Sequence, residues 1–243
     1  MDLFIKQHSV PRITFRTFFY ISLLSLAIKS LYVLFYFYYI DTYPASFADI
    51  LNIFNNNDSG WYQNIAENGY PVIEHSKDDV FLGSDDVYQS SWAFFPLYPT
   101  IVSGVMHLLG VNFVTAAVTI SFILVPIAVL LFYQLALYFV PNIAIAKYAT
   151  LVFLFFPFHY QLSMNYTEAL FLSGLFASFL GILKKNNWLI IVSTLIIVLT
   201  RPNGILTLVP LWIFSLEQAK ILSRTTFKWS KLIQVSLIFV PAG

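Results

Sequence analysis

"FVTAAVTISFILVPIAVLLFYQLALYF", Phe113 to Phe139, runs for 27 residues without one charged side chain. The hydrocarbon core of a bilayer is about 30 Å thick and takes roughly 20 helical residues to cross, so this stretch reads as a transmembrane helix. The rest of the chain agrees with it. Of 243 residues, 58% are hydrophobic, 19% aromatic and only 10% charged, and mean hydropathy is +0.75, whereas a soluble domain carries about 25% charged residues. Such a composition predicts an integral membrane protein. The net charge of +1 offers no broad basic face to nucleic acid. Cysteine is absent, which excludes disulfides, thiolate chemistry and metal sites built on cysteine.

Other apolar segments flank the first. They are Phe18 to Ile40, Phe94 to Leu109, Ile143 to Pro157, Ala169 to Leu183, Trp188 to Thr200, Gly204 to Leu216, and one beginning at Leu232. The basic N-terminus, residues 1–17, precedes an apolar run of about 23 residues with no small-residue cleavage pattern, which reads as an anchor and not a signal peptide. The predicted fold class is all-α, a polytopic membrane module over residues 1–243. Its layout is a cytoplasmic N-terminus (1–17), a first span (18–40), an extracytoplasmic loop (41–112) and further helices (113–243). After Lys231 only twelve residues remain, ending in apolar sequence, so a truncated C-terminus is expected.

Charge orients the spans, because loops rich in Lys and Arg stay cytoplasmic. Lys6, Arg12 and Arg16 place the N-terminus inside, so the loop from Asp41 to Ser91 lies outside. It holds nine of the twelve acids, Asp41, Asp49, Asp58, Glu67, Glu74, Asp78, Asp79, Asp85 and Asp86, against the single Lys77. Lys184 and Lys185, and later Lys220, Arg224, Lys228 and Lys231, mark cytoplasmic loops. Passing from outside at Ser91 to inside at Lys184 requires an odd number of crossings, yet four apolar segments intervene. One must not cross. The expected exception is the segment 93–109, where Pro96 and Pro99 are read as breaking the helix and His107 lies near the far end, giving an interfacial or re-entrant piece. On this topology "NNNDSGWYQNIAENGYP" (Asn55 to Pro71), "PFHYQLSMNYTEA" (Pro157 to Ala169) and "TRPNG" (Thr200 to Gly204) all face outside.

Three polar clusters on one face suit a site for a hydroxylated substrate. Trp61, Tyr62, Tyr70 and Trp92 surround Asp58 in sequence, and aromatic rings accept the C–H faces of a sugar while polar neighbours take its hydroxyls. A carboxylate there fits a general base on an acceptor hydroxyl. The competing reading is an acidic outer loop with an ordinary interfacial aromatic belt. Arg201 suits phosphate oxygens, or else snorkels at a helix end. Glu168 begins a helix, where the macrodipole favours an acid without any function. Lys29 lies mid-span, where an ionisable group is costly and needs a phosphate or a partner helix. Asp78, Asp79, Asp85 and Asp86 are read as a solvated acidic loop and not a divalent-metal site, so no metal is assigned. The glycosylation sequons at Asn57 and Asn165 are read as idle, and His159 as interfacial.

The order of these motifs resembles the PIG-V family of mannosyltransferases. In the first, Asp58, Tyr62, Ile65, Ala66, Gly69, Tyr70 and Pro71 match, followed by "FFPLYP" at Phe94 to Pro99, "NYTEALF" at Asn165 to Phe171 and "RPNG" at Arg201 to Gly204. Asn57 stands where the family has Trp, and Pro202 where a small polar residue precedes the Asn. The resemblance implies a GT-C glycosyltransferase fold. It further implies a polyprenyl- or dolichyl-phosphate sugar donor as co-substrate, a lipid-linked or GPI-like acceptor, and a site on the non-cytoplasmic face of a bacterial plasma membrane or an ER membrane. Asp58 would be catalytic. Trp61, Tyr62, Tyr70, Tyr166, Glu168, Arg201 and Asn203 would bind substrate, with Arg201 or Lys29 at the lipid phosphate. The alternative class is a membrane transporter or lipid-linked sugar flippase, which would carry its charges near the bilayer midplane and use paired broken helices. A structural subunit with a decayed site is the third reading.

Overall fold

The computed structural model describes residues 14–71, 81–83, 87–221 and 229–242. Its main elements are helical, and most overlap the predicted apolar segments. They are α1 (Phe15–Tyr39), α2 (Phe47–Asn52), α3 (Ser59–Asn68), α4 (Leu97–Leu109), α5 (Phe113–Phe139), α6 (Ile143–Phe155), α7 (Glu168–Lys184), α8 (Asn187–Thr200), α9 (Asn203–Gln218) and α10 (Trp229–Leu237). A short antiparallel ribbon, β1 (Phe81–Gly83) with β2 (Val87–Gln89), pairs Leu82 with Tyr88.

Helix starts follow local chemistry. Asn112, Asn142 and Asn186 each turn a side-chain oxygen onto free backbone N–H groups at the heads of α5, α6 and α8, satisfying donors that have no intrahelical partner. Ser46 and Asp49 close a capping box on α2. Asp49 is thereby engaged in structure. The acidic segment 41–91, read from sequence as a loop, thus contains two short helices and a ribbon.

Two helices, α1 and α5, are long and apolar enough to cross a membrane, and a third crossing is available if α6 and the following 3-10 turn (Pro157–Ser163), bent by 75°, act as one span. The two long helices differ in packing. α5 is 56% buried over its most apolar window, with α1, α4, α6 and α7 against it, while α1 is only 17% buried. Pro126 inside α5 and Pro210 inside α9 are tolerated, as in membrane helices whose neighbours re-satisfy the freed carbonyls.

α4 departs from expectation. Pro96 occupies its N-cap and Pro99 its first turn, positions whose N–H groups have no helical partner, so the prolines begin the helix and do not break it. At 13 residues it is about 20 Å long and short of the bilayer core.

Small residues set the closest helix approaches. Along α7, Gly174 and Gly181 would place any added Cβ within 3.0 Å of the Ile196 side chain and 2.9 Å of the Ile190 side chain, and between them Ser178 donates to the Ser193 hydroxyl at 2.8 Å. This is the small-residue packing that drives helix association in lipid. Between α8 and α9 the contact is tighter still: a Cβ at Gly204 would lie 2.7 Å from the carbonyl carbon of Ile197 and closer to its oxygen.

The orientation inferred from charge is testable because the chain has no cysteine. Asn203 and Lys185 are both exposed, so single cysteines there serve as reporters. An impermeant thiol reagent added outside is expected to label position 203 and spare 185. The reverse pattern would show the assigned orientation to be wrong.

Candidate active site

Asp58 sits at the N-cap position of α3 with helical backbone angles, and its carboxylate makes no capping hydrogen bond. It is exposed. Asn57 before it adopts a left-handed backbone, φ 48°, which Asn tolerates far better than a bulky residue. A bulky Trp would be strained there.

The segment around Asp58 is strapped to residues 110 positions away. Asn165 donates its backbone N–H to the Phe54 carbonyl at 2.9 Å and its amide to Asn55 Oδ1 at 3.4 Å, and the Tyr166 hydroxyl donates to the Asn56 carbonyl at 2.8 Å. Asn165 is fully buried. That burial makes glycosylation of its sequon incompatible with this fold.

The next residues carry the link onward. Thr167, fully buried, adjoins the Tyr62 hydroxyl, and Glu168 Oε1 meets Arg201 Nη2 at 3.1 Å. Burial pushes the Tyr62 pKa up; the neighbouring Thr167 side chain and the Arg201 charge pull it down, while Glu168 and Asp58 raise it. Four groups from α3, the head of α7 and the α8–α9 turn therefore share one electrostatic neighbourhood. Burial likewise raises the Glu168 pKa, with the Arg201 charge opposing it and Asp58 adding to it. Its second oxygen, Oε2, is buried without a hydrogen-bond partner.

The aromatic residues divide into floor and rim. Tyr62 packs edge-on against Phe94 and Tyr98, with ring centroids 5.1 and 5.2 Å away, and is 6% exposed. It therefore belongs to the packed floor and presents its hydroxyl, with no free ring face for a sugar. Trp61 is half-buried and stacks on Phe94 at 5.6 Å. Tyr70 stacks on Trp92 at 4.8 Å and donates its hydroxyl to the Phe94 carbonyl; Trp92 remains 53% exposed. Asn203 opens α9, exposed, and its carbonyl accepts from Thr207. No side-chain hydrogen bond ties it to the cluster among the described residues.

Beside the ion pair, Phe153, Phe156, Phe158, Phe171 and Leu172 line an apolar groove of about 350 Å³ that ends at Glu168, Arg201 and His159. Lys29 opens elsewhere, into a groove between α1 and α5. The two candidate phosphate cations therefore line different grooves.

The sequence reading missed Asn55 and Asn56, which bind the motifs together; the polar run from Asn55 to Asp58 was the available signal. Asp78, Asp79, Asp85 and Asp86 lie outside the described residues. No group of three or more metal-ligating side chains gathers among the described residues. No protein-family description, curated protein or solved structure matches this chain.

Proposed function

We propose that the chain is a membrane glycosyltransferase, in the manner of a mannosyltransferase, that moves a sugar from a polyprenyl-phosphate donor to a lipid-linked acceptor. The observation that carries this reading is the convergence of Asp58, Tyr62, Glu168 and Arg201 from three motifs distant in sequence. An exposed carboxylate with no capping bond is free to take a proton from an acceptor hydroxyl. As that oxygen bonds to the anomeric carbon, the bond from this carbon to the donor phosphate breaks and negative charge grows on the leaving lipid phosphate. Arg201 supplies the fixed cation for it. Glu168 holds the guanidinium in place, and the phenylalanine-lined groove beside the pair accepts the first isoprene units of the lipid. Trp61, Tyr70, Tyr166 and Asn203 are the proposed sugar contacts at the rim.

Arg201→Lys tests the phosphate contact. A point-like ammonium cannot reproduce the bidentate fork, so KM for the lipid-phosphate donor is expected to rise about tenfold, corresponding to roughly 1.4 kcal/mol. A selective fall in kcat would instead locate the contact in the transition state. Parent-like values of both constants would remove Arg201 from the mechanism.

A further inference from the structure

Lys29 is the fifteenth residue of the 25 in α1, so it lies about 15 Å along the axis from Tyr39 and about 21 Å from Phe15. It is 4% exposed, and its Nζ has no hydrogen-bond partner. It lies over the Phe122 ring of α5, whose centroid is 3.8 Å away, and it interacts electrostatically with His159. Ser25 and Ser22, one and two turns before it, also carry buried hydroxyls without partners. All three open on a groove of about 480 Å³ between α1 and α5, whose walls include Phe19, Leu23, Leu26, Ile123 and Ile127. All five of these wall residues are exposed.

A cation at this depth is costly unless an anion meets it. We infer that this groove receives a transmembrane helix of a partner membrane protein, whose mid-span Asp or Glu pairs with Lys29. Depth selects the carboxylate. Lipid phosphates lie at the edge of the roughly 30 Å core, whereas Lys29 is within about one turn of the helix midpoint. None of the eight apolar segments contains Asp or Glu, so none of them supplies the acid. The remaining chemistry also fits a helix. The apolar walls match lipid-facing side chains, and the serines allow close approach with hydroxyls ready to bridge. The thin packing of α1, 17% buried against 56% for α5, leaves this side open.

The test uses the whole chain in neutral phosphatidylcholine bilayers. The probes are synthetic Leu/Ala transmembrane peptides differing only in a central Asp, Leu or Lys, with binding followed by fluorescence energy transfer. The Asp peptide is expected to bind about threefold to twentyfold more tightly than the Leu peptide, the span of single polar contacts between membrane helices. Lys29→Arg should keep that preference and Lys29→Met abolish it. A disulfide from Leu26→Cys to a cysteine one turn from the peptide's Asp should form selectively. Equal binding of the Asp and Leu peptides, or a preference that survives Lys29→Met, overturns the inference. So does a Lys29-dependent rise in thermal stability on adding phosphatidic acid without any Asp preference, since that outcome assigns the groove to a lipid phosphate.

Discussion

Asp58→Asn is expected to lower sugar transfer about a hundredfold to ten-thousandfold, the usual contribution of a positioned general base. The substitution is nearly isosteric and removes no capping bond, because the carboxylate does not cap α3. Folding and membrane insertion should therefore match the parent. Glu67→Gln is the suitable control: its carboxylate accepts from Gln63, one turn earlier in the same helix, and activity should change less than twofold. Asp49 would be a poor control, since its carboxylate accepts from the backbone of Ala45 and Ser46. Parent-like transfer by the Asp58→Asn protein would remove the catalytic assignment.

Gly204→Ala is expected to destabilise the protein by about 3 kcal/mol, the upper end of ordinary overpacking. The added methyl would meet backbone atoms of Ile197 and Val198, and a backbone cannot swing aside as a flexible side chain can. The α8–α9 crossing must open instead. Arg201 caps α8 three residues before Gly204, so transfer should fall along with stability. Gly104→Ala in α4 gives the contrast, because nothing lies within 4 Å of the new Cβ there and alanine favours a helix interior by up to about 1 kcal/mol. Unfolding in detergent, followed by circular dichroism, checks both. Equal midpoints for the Gly204→Ala and parent proteins would show that the crossing yields cheaply.

The two effects bear on how far the sequence could be read. α5 was legible to the residue, since Asn112 caps one end and Pro141 and Asn142 follow the other. α1 begins three residues earlier than its apolar run because Thr14 caps it at Phe15. Inside the acidic segment the spacing of Ser46 and Asp49 carried a cap signal, yet α2 is six residues long and too short to show a hydrophobic period. Pro96 and Pro99 misled because proline has opposite effects at the start and in the interior of a helix. The close approach at Gly204 had no sequence signature at all, since a glycine's neighbour across a helix crossing is set by tertiary packing.

At the site, residue identity was legible and arrangement was not. Asp58, Glu168 and Arg201 stand out as polar groups in an apolar chain. Nothing local in the sequence indicates that Tyr166 bonds to Asn56 or that Glu168 and Arg201 pair, because those partners are separated by 110 and 33 positions. Tyr62 was placed among the sugar platforms, yet Phe94 and Tyr98 cover its ring and leave the hydroxyl as its working part. An aromatic residue's burial is decided by its neighbours, not its type.

The most direct measurement is sugar transfer itself. Membranes containing the full chain, beside membranes containing Asp58→Asn, are incubated with radiolabelled polyprenyl-phosphate mannose or its glucose counterpart, and the lipid-extracted products are identified. The predicted result is a labelled lipid-linked glycan formed from the mannose donor by the parent and reduced at least a hundredfold in the variant. Donor consumption that is the same with the parent, the variant and membranes lacking the chain, with no labelled acceptor formed from either sugar, would contradict the assignment of a glycosyltransferase.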